Sequence, residues 1–94
     1  MNPSLRRDSR KELRRTAEGE VRVRFENPQR REIQGQLVDV SKGGFRMAHE
    51  YPALQTGQVV EFSHVDATGR ARVVWNRIED AGVETGFLVV AADR

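Results

Sequence analysis

Several residue types are scarce in this chain of 94 residues, and each scarcity excludes a class of protein. The chain has no cysteine, so neither a disulfide framework nor a thiolate metal site can form. Its two histidines, His49 and His64, lack the spacing of metal ligands, so we expect no metal site. No apolar run approaches the roughly 18 residues that a membrane-spanning helix needs, so we expect no membrane span.

Signals for secretion and for catalysis are missing as well. The opening stretch MNPSLRRDSR has no apolar segment after its charges, which predicts no secretory signal and a cytoplasmic location. We find no Ser-His-Asp arrangement with supporting context and no phosphate-cradling GxxxxGK(S/T) pattern. The sequence therefore argues against an enzyme, and we expect no cofactor.

Charge is distributed unevenly along the chain. Residues 1–15 carry six basic and two acidic side chains, whereas the remaining residues carry ten basic and twelve acidic ones. The overall net charge of +2 thus conceals a basic N-terminal arm attached to a mildly acidic body. Such an arm favours anions as partners: nucleic acid, lipid headgroups or a phosphorylated small molecule.

Apolar residues from Glu20 onward mostly follow a period of two, which is typical of half-buried strands. The alternation slips between Leu37 and Val38, close to Gly35, and this predicts a bulge. Tight turns are expected at DATG and at EDAG. The predicted strands cover residues 20–26, 32–40, 45–49, 59–65, 70–78 and 83–90.

Six short strands at this spacing are typical of an all-β sandwich or barrel. A closed barrel leaves no exposed sheet edges, so we predict a small six-stranded antiparallel β-barrel over residues 20–94. Residues 1–19 would form a flexible basic arm, because they contain little apolar surface to bury.

Arginines recur every fourth residue in this arm, at Arg6, Arg10 and Arg14. The planar guanidinium group donates two parallel hydrogen bonds, which suits phosphate, and it also matches O6 and N7 of guanine. A solvated run of charges is the alternative interpretation.

The segment DVSKGG, residues 39–44, is the second candidate site. Asp39 could accept hydrogen bonds from N1–H and N2–H of guanine, and Ser41 adds a hydroxyl group. Gly43 belongs to the same segment, and Gly44 would remove a Cβ where a base lies flat, or adopt a positive φ. The alternative is a plain turn between strands, since Asp, Ser and Gly favour turns.

Taken together and in this order, the two motifs resemble those of the PilZ family, and the resemblance spans essentially the whole chain. The family's pattern is matched by Arg-x-x-x-Arg, by DVSKGG, and by GFRM, YPALQTGQVVEF, ARVVW and GVETGFLVV.

The resemblance implies a bacterial protein with a six-stranded split barrel. This barrel would bind cyclic di-GMP, a second messenger with two guanines and two phosphates. Arg10 and Arg14 would hold the phosphates and stack on guanine, with Arg6 and Arg10 as the other register. Asp39 and Ser41 would hydrogen-bond a guanine edge, and the ligand could bind as a monomer or as a stacked dimer. The arm would become ordered on binding, and an unknown effector protein would receive the signal.

Two other functions remain open from the sequence. A nucleic-acid-binding barrel would place phosphates on the arm and stack bases on Trp75 or Phe45, but an acidic body with six aromatic residues argues against it. A PilZ-like adaptor could instead act through protein contacts without any ligand. Trp75 is expected in the core, or alternatively at the barrel rim against a base. Lys42 and Arg46 are expected to be solvated, although either could add charge beside the ligand.

Overall fold

The computed structural model describes residues 15–26 and 29–93, and this part of the chain is built from strands without a helix. The segments with alternating apolar residues, which the sequence predicted to be strands, are strands in the structure. The strands are β1 Arg15–Thr16, β2 Glu20–Glu26, β3 Arg30–Val40, β4 Gly44–His49, β5 Val59–His64, β6 Ala67–Glu79 and β7 Gly82–Ala92.

Six of these strands close into an antiparallel barrel, as the sequence predicted. Their order is β3-β2-β5-β6-β7-β4, and β4 pairs back onto β3. Closure satisfies the backbone groups of the strands that would otherwise lie at the two sheet edges. The prediction of a small six-stranded all-β barrel is therefore confirmed.

The short strand β1 extends the line of β2 along β3. Arg15 lies opposite Val40 and Thr16 opposite Asp39, whereas β2 pairs with β3 further along. Because β4 already occupies the other edge of β3 here, β1 and β2 share one edge. The chain therefore enters the barrel beside the end of β3.

The barrel interior is apolar and rich in aromatic rings. Val21, Val23 and Phe25 point inward from β2 at alternate positions, as the period of two predicted. The ring of Phe45 lies 4.9 Å from that of Phe62 and 4.7 Å from that of Phe87, measured between centroids. Such contacts add to the hydrophobic stabilisation of burial alone.

Three local expectations meet different outcomes. The β3–β4 register shifts between Leu37 and Asp39, which confirms the predicted bulge. The turn after β5 comprises Val65 and Asp66 rather than the whole of DATG, because the residues from Ala67 onward belong to β6 and pair with β5. The expected core position of Trp75 is wrong, since the β6–β7 register shifts after Val73.

Candidate functional site

The segment DVSKGG forms the connection between β3 and β4. The amide of Ser41 donates a hydrogen bond of 2.9 Å to the carbonyl of Gly44, which closes the turn. The carbonyl of Gly43 accepts a 2.8 Å hydrogen bond from the amide of Val89 in β7. This connection is thus held in place by the neighbouring strand as well as by its own hydrogen bonds.

Gly44 has a packing role that the sequence did not reveal. A Cβ built at this position would overlap the carbonyl oxygen of Phe87, so glycine lets β4 and β7 approach closely. Its φ is not among the positive φ values of the described residues, which makes that part of the expectation wrong. The close approach at Gly44 is between two strands of the barrel.

Asp39 and Arg46 form an ion pair across the β3–β4 hairpin. Nε of Arg46 donates to both carboxylate oxygens of Asp39, at 3.0 and 2.8 Å, and Nη2 donates to Oδ2. The Asp39 side chain is 7% exposed and that of Arg46 is 32% exposed. The expectation that Arg46 is simply solvated is therefore wrong.

Electrostatics favour the charged form of Arg46. Hydrogen bonding to Asp39 raises the pKa of Arg46, with further contributions from the charges of Asp39 and Glu84, while partial burial acts in the opposite direction. Nη1 of Arg46 lies 4.0 Å from Oε2 of Glu84. Glu84 also forms an ion pair with Arg77 on β6. The outer surface of the barrel thus carries a connected row of charges.

Trp75 lies on this outer surface and not in the core cluster. Its indole covers Gly86 so closely that a Cβ there would overlap the ring. The expectation of a core tryptophan is therefore wrong. A groove of about 360 Å³ separates Trp75 from the β3–β4 connection. The groove is lined by Ser41, Gly43, Gly44, Arg46, Val74, Trp75, Gly86, Phe87 and Leu88.

The arginines of the predicted arm, Arg6, Arg10 and Arg14, lie outside the described residues. The described end of the arm runs along the candidate site, because Thr16 lies opposite Asp39 in the β1–β3 pair. The amide of Ala17 also donates a 3.2 Å hydrogen bond to the carbonyl of Val38. The backbone that follows Arg14 is therefore attached directly beside the DVSKGG segment.

His49 has a structural role in a chain of hydrogen bonds. Nδ1 of His49 accepts from the amide of Tyr51 at 3.0 Å, so Nε2 carries the proton and donates to the hydroxyl of Thr85 at 2.7 Å. Thr85 in turn donates to Oδ1 of Asn76 at 2.6 Å. Burial lowers the pKa of His49, which favours the neutral ring that this chain of hydrogen bonds requires.

The positions of opposite charges in the sequence carry a signal for the Asp39–Arg46 pair. Once residues 41–44 are taken as a hairpin connection, Val40 faces Phe45 and the next pair outward is Asp39 with Arg46. Opposite charges at facing positions of antiparallel strands attract each other. No comparable signal exists for the Trp75 position, because it depends on a register shift within the β6–β7 pair.

The described part of the chain lacks two features that would indicate other functions. Residues 15–26 and 29–93 contain no helix that is long and apolar enough to cross a membrane. Over the same ranges, no three His, Asp or Glu side chains are grouped so that they could hold a metal ion.

Comparisons with known proteins identify the fold. No protein-family model matches the chain, and no curated protein matches it in sequence. The fold is similar to the solved structure of the Bacillus subtilis inhibitor of motility, MotI/DgrA, with a TM-score of 0.69 and 14% identity. The match covers 87% of this chain and 43% of that protein, so this chain spans less than half of its length.

Proposed function

We propose that this protein is a PilZ-like receptor for cyclic di-GMP that acts in the bacterial cytoplasm. The observation that carries the proposal is the pairing of β1 with β3, which attaches the end of the basic arm beside Asp39. The residues that directly follow Arg14 thereby have their backbone next to the DVSKGG segment. The similarity of the barrel to the inhibitor of motility supports the assignment of a PilZ-like fold.

The chemistry of the two motifs suits this ligand. Arg10 and Arg14, or Arg6 and Arg10 in the other register, provide guanidinium groups that donate bidentate hydrogen bonds to phosphate and stack on bases. Ser41 and the glycines of the β3–β4 connection line the adjacent groove. A guanine base would lie in this groove while its phosphates contact the arm.

Binding would act as a switch because the arm is strongly basic. The two phosphates of the ligand offset the repulsion between clustered arginines, so the arm becomes ordered on the barrel when the ligand is present. The ordered arm and the barrel then present a surface to an effector protein. The protein acts as a receptor and adaptor, and catalysis is not part of the proposal.

Calorimetric titration tests this function on the full chain. We expect cyclic di-GMP, as a monomer or a stacked dimer, to bind, while GMP and a single-stranded oligonucleotide do not. Arg10→Ala should weaken binding by at least about tenfold, because a hydrogen bond to a charged group contributes about 1.5–3 kcal/mol. Comparing Arg6→Ala with Arg14→Ala identifies the working register.

A matched control comes from β2. Arg22 is an exposed arginine that forms ion pairs with Glu20 and Glu32, away from the groove. Arg22→Ala removes the same charge and should leave the affinity for cyclic di-GMP unchanged.

Two other outcomes would favour other functions. Equal binding of the oligonucleotide would show a nucleic-acid-binding barrel instead, and no binding of any ligand would leave an adaptor that acts through protein contacts alone.

A further inference from the structure

The groove beside the β3–β4 connection has one basic wall and one aromatic wall. We propose that Arg46 reads O6 and N7 of a guanine base that stacks on Trp75, and that Asp39 positions Arg46 for this contact. The inference rests on the proposed function and assigns the base-reading role to a side chain outside the DVSKGG segment.

The ion pair with Asp39 uses only one of the two hydrogen-bonding edges of the Arg46 guanidinium group. A guanidinium group has two edges that can donate a pair of hydrogen bonds, one formed by Nε and Nη2 and the other by Nη1 and Nη2. Asp39 accepts from the first edge. Nη1, on the second edge, makes no hydrogen bond with the described residues, and its ion-pair contact with Glu84 is long, at 4.0 Å. This second edge can therefore donate to a base.

Arg46 and Trp75 belong to one row of residues across three neighbouring strands. Arg46 on β4 faces Gly86 on β7, and Gly86 faces Trp75 on β6. Adjacent strands are about 4.8 Å apart, so the β4 and β6 backbones are separated by roughly 10 Å with glycine between them. Because Gly86 has no side chain, the Trp75 indole lies over its backbone, beside Arg46, and both side chains line the groove. A base stacked on the indole would therefore lie next to Arg46.

The donor pattern selects guanine over adenine. Guanine presents two acceptors, O6 and N7, which match two N–H donors of arginine. Adenine presents N7 with a donating N6 amino group, which places a donor against a donor. Glu84, whose Oε2 lies 4.0 Å from Nη1 of Arg46, also forms an ion pair with Arg77.

The role of Asp39 follows from its burial. Its carboxylate is nearly inaccessible to solvent, and both of its oxygens accept hydrogen bonds from Arg46. An acidic side chain held in this way fixes the plane and direction of the guanidinium group. We therefore treat Asp39 as a positioning residue, and replacing it should change base selectivity through Arg46.

The test combines removal of the N7 acceptor from the ligand with replacement of Arg46 in the protein. Cyclic di-GMP and its 7-deaza analogue, which lacks the N7 acceptor, are titrated calorimetrically into the full-length wild type, Arg46→Gln and the control Arg22→Gln. The analogue loses the N7 hydrogen bond of the pair, and a hydrogen bond to a charged group contributes about 1.5–3 kcal/mol, so we expect a penalty of about tenfold or more on wild type and on the control. On Arg46→Gln the penalty should disappear, because the two changes remove the same contact.

Two further measurements do not depend on Arg46→Gln folding normally. Trp75 is the single tryptophan of the chain, so its fluorescence should be quenched when cyclic di-GMP binds to wild type. Arg46→Lys keeps the charge but loses the bidentate geometry, and it should narrow the preference for cyclic di-GMP over cyclic di-AMP. Asp39→Asn should narrow that preference in the same direction.

The outcomes separate this inference from the proposed function. If cyclic di-GMP binds but the 7-deaza penalty persists in Arg46→Gln, another group reads N7 and the inference is wrong while the receptor function stands. Binding without a change in Trp75 fluorescence would equally overturn the stacking arrangement. If calorimetry detects no binding of cyclic di-GMP to wild type, the proposed function itself fails.

Discussion

Single residues in this barrel carry constraints that their sequence context does not show. Asp39 and Gly44 belong to the segment that the sequence marks as a ligand site, yet Asp39 pairs with Arg46 and Gly44 allows close strand packing. A residue in a binding motif can thus be required by the fold as well. Mutations at such positions need a stability measurement before a loss of binding is interpreted.

Gly44→Ala should destabilise the protein whether or not ligand is present. The added Cβ overlaps a backbone carbonyl of β7, which cannot rotate away, so we expect the free energy of unfolding to fall by about 1–3 kcal/mol. Urea denaturation measures the loss. Lys42→Ala changes an exposed residue of the same connection and should stay within about 0.5 kcal/mol of wild type. Equal stability of the two variants would contradict the packing role of Gly44.

Stability should decrease as pH falls, because burial lowers the pKa of His49 in the folded state from its ordinary value of 6.5. The unfolded chain then binds protons more readily than the folded chain, so the stabilising contribution is present above about pH 6.5 and is lost as pH falls towards the folded-state pKa. Burial also lowers the pKa of His64, with a smaller opposing effect of Asp66, and this residue acts in the same direction.

Urea denaturation at pH 7.5 and 5.5 measures this dependence. His49→Gln removes one titrating group and should reduce the difference between the two pH values, leaving the part that belongs to His64. An unchanged pH dependence in His49→Gln would show that His49 does not contribute to it.

At the level of elements, β1 is the piece that connects the arm to the barrel. It is two residues long, and its register places Thr16 against Asp39. The loop that follows is also attached to β3, since Gly19 accepts a 2.8 Å hydrogen bond from the amide of Leu37. A strand this short has few interactions to hold it, so its opening should be sensitive to whatever binds the arm.

Ligand binding should therefore slow hydrogen exchange at β1 more than in the central strands. We expect the amide of Ala17, which bonds to Val38, to gain protection when cyclic di-GMP is added. Segment 59–64, which pairs on both sides within the barrel, serves as the internal reference. If calorimetry shows binding while Ala17 exchanges at its original rate, the arm does not act through β1.

On the scale of the whole molecule, stability depends on one aromatic centre inside the closed barrel. Phe45 is fully buried and its ring contacts those of Phe62, Phe87 and His64. A domain of this size buries a limited core, so one large side chain represents a large share of its stability. The barrel supports the candidate site mainly by fixing β3, β4, β6 and β7 relative to one another.

Phe45→Ala should reduce the free energy of unfolding by about 3–5 kcal/mol, because it leaves a cavity among the other rings. Val65 lies in a hairpin turn and is 72% exposed, so Val65→Ala should change stability by less than about 0.5 kcal/mol. Urea denaturation compares both with wild type, and Phe45→Leu provides a milder change if Phe45→Ala does not fold. Similar losses for Phe45→Ala and Val65→Ala would contradict this description of the core.

The sequence by itself determined the strands, the bulge near Leu37 and the closed barrel, because alternation of apolar residues is a local pattern and an unpaired sheet edge is unfavourable. It also marked the DVSKGG segment through its turn chemistry. The tertiary structure decided which side chains meet across strands. Arg46 reaches Asp39 only through the β3–β4 register, and Trp75 moves to the outer surface through the β6–β7 register shift. Register depends on all the paired strands at once, and a local stretch of sequence does not encode it.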